Sequence, residues 1–307
     1  MENFNSTRET KDTNDDELDL KDLILLLLNY KFFVITFTSV GIILSILFSL
    51  TLQNTYISYA KVIPVSEDDN MSSQASQFTG LASLAGLDID SGSSKSQEGI
   101  EVLKSFKFFN NHINSINVAS NLLSSKSWDP KTNEIMYDSS YDINKNIWAS
   151  EIPSNRKIFR SFESKFDIIE DSKSPVIILS FEHISPVFAK NILDKIILNI
   201  NESTRDFEKQ EAMKSINYLN KQMAKTNINE IKDVLSGLLR NEIQKTVLVE
   251  AREEFIFQTI DPPYVPEIKS GPNRSLICIG GAFISFIFSI LLIMSYHFYL
   301  SFFKELE

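Results

Sequence analysis

The chain is poor in the residues that most enzymes use. Of its 307 residues, one is cysteine, three are histidine and nine are glycine. The lone Cys278 rules out a disulfide framework within one chain. His112, His183 and His297 are far apart in sequence, so no metal-ligand spacing exists. There is no G-x-x-x-x-G-K-[ST] phosphate loop, no G-x-G-x-x-G turn and no G-x-S-x-G nucleophile elbow. Basic charge is also in deficit. Thirty Lys and Arg face 40 Asp and Glu, a net charge of −10, which excludes a basic footprint for nucleic acid. Carboxylate pairs such as Asp68-Asp69 and Glu253-Glu254 are adjacent in sequence and read as solvated surface. The expectation is a chain without catalytic site, cofactor or metal.

What the sequence has is a sharp segregation of charge. Residues 32–52 and 275–303 carry no charged side chain at all. Twenty-one residues of helix cover about 30 Å, the thickness of a bilayer's hydrocarbon. Phe32–Leu52 follows 31 polar, net-acidic residues, without the basic start or small-residue cleavage site of a secretion signal. Both runs are therefore expected to be transmembrane helices, 32–52 and 275–299. Tyr296, His297 and Tyr299 stand where an aromatic belt would lie. Two spans put both ends on one side. Lys21, Lys31 and Lys304 on that side balance Lys61, Lys269 and Arg274 on the other, so charge alone leaves the orientation open. Within the second span, Gly280 and Gly281 are the candidates for close helix packing.

Between the spans, residues 53–274 read as one α+β region. Tyr56–Val65, Lys165–Ile169, Val176–Phe181 and Glu253–Ile260 have the β-branched and aromatic content of strands. Residues 66–97 read as a long polar loop holding one small apolar stretch, Gly80–Leu87. Ile100, Leu103, Phe106, Phe109, Ile113 and Ile116 recur at helical spacing. Residues 124–155 read as loop. Trp128 and Trp148 in that loop have two readings, packing against the domain or stacking on a sugar. His183 reads as a strand-end side chain or, alternatively, a site residue. Ser185-Pro186 is a capping hydroxyl before an N-terminal proline and starts a very long helix, about 186–246. Unbroken, its roughly 60 residues would reach about 90 Å and would need helical neighbours. Thr226-Asn227 is its weakest point. Residues 261–274 follow as a proline-rich linker with Pro262, Pro263, Pro266 and Pro272, ending at Arg274. At the other end, residues 1–16 are polar, and Leu18–Leu28 reads as an interfacial segment.

In this order the segments resemble the Wzz-type polysaccharide chain-length determinants, the short polysaccharide co-polymerases. The resemblance is carried by Phe255–Ile277, with Pro262, Pro263, Pro266, Pro272 and Arg274. It is carried also by Leu18–Lys31, with Asp19, Leu20 and Asp22, and by Gly80–Leu87 with the helix after it. It implies an inner-membrane protein whose residues 1–31 and 300–307 are cytoplasmic tails and whose 53–274 domain is periplasmic with a protruding helix. It implies a homo-oligomeric ring. It further implies work with a membrane polymerase on undecaprenyl-linked polysaccharide, setting the length of a surface polymer, O-antigen first, without catalysis. The kinase domain of longer family members is not expected. Two other readings stay open: an adaptor of polysaccharide export, and a ligand sensor between two spans.

Overall fold

The computed structural model describes residues 26, 28–65, 91–149, 151–171 and 173–304. The polar start at 1–16, most of the Leu18–Leu28 segment, the Gly80–Leu87 stretch and residues 305–307 lie outside them. The chain divides into two compact units. One contains residues 1–52 and 272–307, and the other residues 53–271.

The first unit is built on two helices, α1 (Lys31–Thr51) and, at the far end of the chain, α7 (Arg274–Lys304). Both are long and apolar enough to cross a membrane, with mean hydropathies of 2.3 and 2.7. Only 6% and 11% of their apolar windows are buried. A helix that is hydrophobic all round yet left uncovered needs an apolar solvent, not a soluble core.

The second unit is organised by a four-stranded antiparallel sheet of order β6-β7-β1-β8. Its strands are β1 (Tyr56–Pro64), β6 (Phe166–Glu170), β7 (Ile177–His183) and β8 (Phe257–Asp261). Strand β1 pairs with β7 from Tyr56↔His183 to Val62↔Ile177, and with β8 across a bulge at Lys61/Val62. Alternation sets its faces: Ser58, Ala60 and Val62 are buried, while Tyr59 and Lys61 point outward. Helix α5 (Pro186–Lys225) packs on the buried face, started by Ser185, whose hydroxyl accepts the Phe188 N–H at 3.3 Å. Ala189, Ile192, Leu193, Ile196 and Ile200 repeat every three or four residues and are all but fully buried. Each such Ile or Leu contributes on the order of 1.5–3 kcal/mol.

Other elements close the core around five phenylalanines. The rings of Phe109, Phe159, Phe162, Phe166 and Phe181 succeed one another at 4.8–5.7 Å. Helix α4 (Asn155–Glu163), capped by Ser154, supplies Phe159 and Phe162. The helix expected across Ile100–Ile116 is interrupted. Helix α2 (Ser91–Lys104) stops at Ser105, whose hydroxyl caps the Phe108 N–H at 3.1 Å. A short turn and a π-helical turn, Phe109–Ile113, then lead to α3 (Ile116–Ser124). The core stripe Ile100, Leu103, Phe109 and Ile113 survives the interruption.

The stretch read as loop holds two small hairpins, β2–β3 (Ser125–Asp129 with Glu134–Tyr137) and β4–β5 (Tyr141–Asp142 with Ile147–Trp148). Asp129 and Asp142 accept backbone N–H groups at their turns, and Asn133 and Asn146 adopt positive φ. These are the residues such turns demand.

A continuous helix over 186–246 does not form. Helix α5 ends at Lys225 after 40 residues, Thr226 and Ile228 are extended, and α6 (Asn229–Ala251) folds back along it. Ion pairs Lys209–Glu250 and Lys245–Glu208, both at 2.6 Å, fix the antiparallel register. Thr226 and Asn227 favour turns over helix interiors, which places the reversal there. The α5–α6 hairpin supplies the helical neighbour that the long stripe requires.

One side chain joins the hairpin's return to the sheet. Asn201, 4% exposed in mid-helix, accepts the N–H groups of Phe255, Ile256 and Phe257 at 2.9–3.0 Å. Its amide donates to the carbonyls of Phe257 and Ile197 at 3.0 and 3.2 Å. Asn201→Ala leaves those backbone groups unpaired in a dry site and is expected to cost about 2–4 kcal/mol. Thermal unfolding of the full chain in detergent measures it. An unchanged midpoint would refute the clamp.

Candidate functional site

The proline-rich stretch is part of the folded unit as far as Gly271. Strand β8 cannot continue past Asp261, because Pro262 and Pro263 offer no ladder N–H. The chain turns instead along the start of β1. The buried Ser58 hydroxyl donates to the Tyr264 carbonyl at 2.7 Å, and the Ile57 N–H donates to Ser270 Oγ at 3.1 Å. Thr55 and Gly271 form an antiparallel bridge, with Thr55 N–H to Gly271 O at 2.9 Å and Ser270 N–H to Thr55 O at 2.8 Å. Pro263 and Pro266 are buried and Pro262 is exposed. The segment is a strap, held by hydrogen bonds of its non-proline residues and stiffened by its prolines. The two points where the chain enters and leaves this unit are thereby tied together.

Pro272 and Arg274 fall in the other unit. Pro272 is half-buried, and Arg274 is the first residue of α7. Between them Asn273 accepts the Leu276 N–H at 3.4 Å, in the manner of a helix cap. Further along, the two candidate glycines separate. A Cβ on Gly281 would lie 2.3 Å from Ser45 Oγ, whereas one on Gly280 would meet nothing within 4 Å. The Gly281 contact is one half of a reciprocal pair. A Cβ on Gly41 of α1 would likewise collide with the Ser285 hydroxyl on α7. Ser45 Oγ also donates to the Ile277 carbonyl at 2.9 Å, a hydrogen bond between the helices. Rings of Phe37 and Phe288, and of Tyr30 and Tyr296, meet at 6.2 and 6.4 Å. The sequence reading looked for small residues in the second span only. The Gly41-x-x-x-Ser45 spacing in the first was the signal that would have completed the pair.

His183 is structural. It is 2% exposed; its Nδ1 accepts the Ser185 N–H at 3.0 Å, and Nε2–H then donates to the Asn121 carbonyl at 2.9 Å. Burial holds its pKa down at about 4, against the pull of those two hydrogen bonds, and the Lys165 charge pushes it the same way as burial. Trp128 donates Nε1–H to Asn133 at 2.9 Å and packs edge-on to Tyr56. Trp148 packs on Tyr141 and the core. Both tryptophans are packing residues. Among the described residues, no group of three or more His, Cys, Asp or Glu could hold a metal ion.

One family model matches a third of the chain, and it is the family that the sequence resembles. Residues 16–116 match the family model described as Wzz, chain length determinant protein. No curated protein matches the chain by sequence. Among solved structures, a full-length bacterial polysaccharide co-polymerase is similar at 11% identity and a TM-score of 0.36, covering 92% of this chain and 99% of its own. A fragment of WzzB, the polysaccharide co-polymerase from Salmonella Typhimurium, is similar at 12% identity and a TM-score of 0.32. It covers 71% of this chain and 100% of its own.

Two expectations follow from these geometries. Gly281→Val forces α1 and α7 apart and should cost roughly 1–3 kcal/mol, while Gly280→Val stays within about 0.5 kcal/mol. The two unfolding midpoints in detergent decide it, and equal midpoints would discard the contact. For His183 the folded state resists protonation until about pH 4, whereas the unfolded chain takes up the proton near 6.5. Unfolding therefore binds a proton in that window. The stability advantage over His183→Gln should shrink by about 3 kcal/mol from pH 7 to 4. A pH-independent difference contradicts the neutral, buried imidazole.

Proposed function

We propose that this chain is a non-enzymatic regulator of the length of a surface polysaccharide, with O-antigen the first candidate. It acts in the bacterial inner membrane with the polymerase that extends undecaprenyl-linked repeat units. The observation that carries this reading is the match of residues 16–116 to the chain length determinant family. The two uncovered apolar helices support anchoring in a bilayer. The orientation in this reading, both termini cytoplasmic and residues 53–274 periplasmic, follows from the family resemblance.

The α5–α6 hairpin supports self-association into a ring. On α6, Ile231, Val234 and Leu238 repeat at helical spacing and remain 45%, 65% and 48% exposed after α5 has packed. An apolar stripe that the described elements leave open is suited to a second copy. The reading assigns the strap a mechanical role. Pro262, Pro263 and Pro266 stiffen the route by which the folded unit is joined to the second span, Pro272 and Arg274 begin that span, and of the two glycines Gly281 alone serves its packing.

Deletion of the gene should replace a clustered long-chain mode in the polysaccharide ladder by a featureless, short-biased distribution, and restoration should bring the mode back. An unchanged ladder would overturn the reading for that polymer. With Pro262→Ala, Pro263→Ala and Pro266→Ala combined, the mode should shift at normal protein level. An unmoved mode removes the strap from the mechanism.

A further inference from the structure

The α+β unit carries a groove apart from the strap, beside the base of the helix pair. Its volume is about 360 Å³. It opens where four segments converge: the end of β1 at Val65, helix α2 at Glu98 and Val102, the π turn, and the middle of α5 facing the approach to β8. The approach to β8 is the segment whose backbone Asn201 holds. Gly99 allows α2 to come close, since a Cβ there would fall 2.6 Å from Ile256. The groove wall thus includes a close approach of α2 to the segment before β8.

Its lining has two kinds of surface. Phe108, Phe207 and Phe255 give it aromatic walls, and Phe207 is 57% exposed there, far more than packing requires. Glu98, Asn111 and His112 put a carboxylate, a carboxamide and an imidazole on the same groove. Asn111 and His112 both come from the π turn, and His112 stacks on Phe108 at 5.4 Å. A π turn inserts one extra residue into a helix, is rare, and recurs at functional sites. Here it brings two polar side chains to an aromatic wall.

This pairing selects a class of ligand. Charges of both signs line the groove, Glu98 and Glu208 against Lys107 and Arg252, so no field favours a polyanion. An extended peptide would need a free strand edge, but the Val65 N–H is already bonded to the Ile256 carbonyl at 3.0 Å. A sugar ring meets both demands, with an apolar C–H face for the phenylalanines and hydroxyls for the amide, carboxylate and imidazole. We propose that this groove binds a short saccharide segment of the polymer whose length the chain regulates. The identity of the polymer rests on the function proposed above; the groove does not.

The test uses the full chain in detergent micelles. The probe is short oligosaccharides from the producing strain's surface polysaccharide, released from lipid by mild acid. Saturation-transfer NMR should detect binding. Phe207→Ser and Asn111→Ala, both at exposed positions, should each weaken it at least fivefold, while Lys221→Ala near the far end of the hairpin leaves it unchanged. Unfolding midpoints check that the variants are folded. Affinity that is indifferent to both groove variants overturns the proposal. So does an apolar octapeptide that binds more tightly than the oligosaccharide at the same residues. The two readings fail separately. A deletion that abolishes the ladder's mode, alongside binding that ignores the groove variants, refutes the groove alone. A normal ladder on deletion, with groove-dependent binding intact, refutes length control alone.

Discussion

A single carboxamide in the middle of a 40-residue helix anchors the α+β unit. Asn201 is a poor helix former, and an Asn at a core position of a helix interior must satisfy its polar atoms or pay heavily for burial. Its donors go to Ile197 in its own helix and to Phe257, and its acceptor gathers three successive backbone N–H groups. That arrangement fixes where the returning chain re-enters the sheet. The register of β8 on β1, the position of the strap that follows it and one wall of the groove all inherit that point.

The rest of the unit divides into a well-packed base and a sparsely buried extension. The first four turns of α5 bury Ala189 to Ile200 against the sheet, whereas beyond Asn201 only Ala212 and Leu219 on that helix are buried. Its partner α6 buries only Val249. Surface ion pairs such as Lys209–Glu250 set register but contribute little stability at exposed sites. The hairpin therefore relies on the base for its position. The apolar positions it leaves open are the ones an added partner would cover.

Much of this was legible from composition and periodicity. The apolar runs were plain because a bilayer span needs about twenty uncharged residues and little else does. The four sheet strands fell within a few residues of their expected bounds, since β-branched content and flanking breakers mark them locally. The helical hairpin was half legible. The stripe was evident and Thr226-Asn227 was marked as weak, but a break and a kink look alike in one dimension. The two small hairpins were missed, although Asp129…Asn133 and Asp142…Asn146 carried the turn chemistry. Helix α4 was missed because nine residues are too few for periodicity to speak. Asn201 was invisible, because the backbone it clamps, Phe255 to Phe257, lies more than fifty residues away. Ser105 and the π turn were hidden for the opposite reason: a stripe that continued correctly in sequence concealed a backbone that had changed its winding.

The contact between α1 and α7 has an inheritance of its own. Gly41 meets Ser285 and Ser45 meets Gly281, so each helix gives one hydrogen and one hydroxymethyl to the same crossing. What the crossing constrains is the combined volume of each facing couple, not which helix supplies the larger member. Only a paired change keeps that volume constant. A serine gained on one strand of the couple is tolerable when its opposite number becomes glycine, and neither site, followed alone, would reveal the rule.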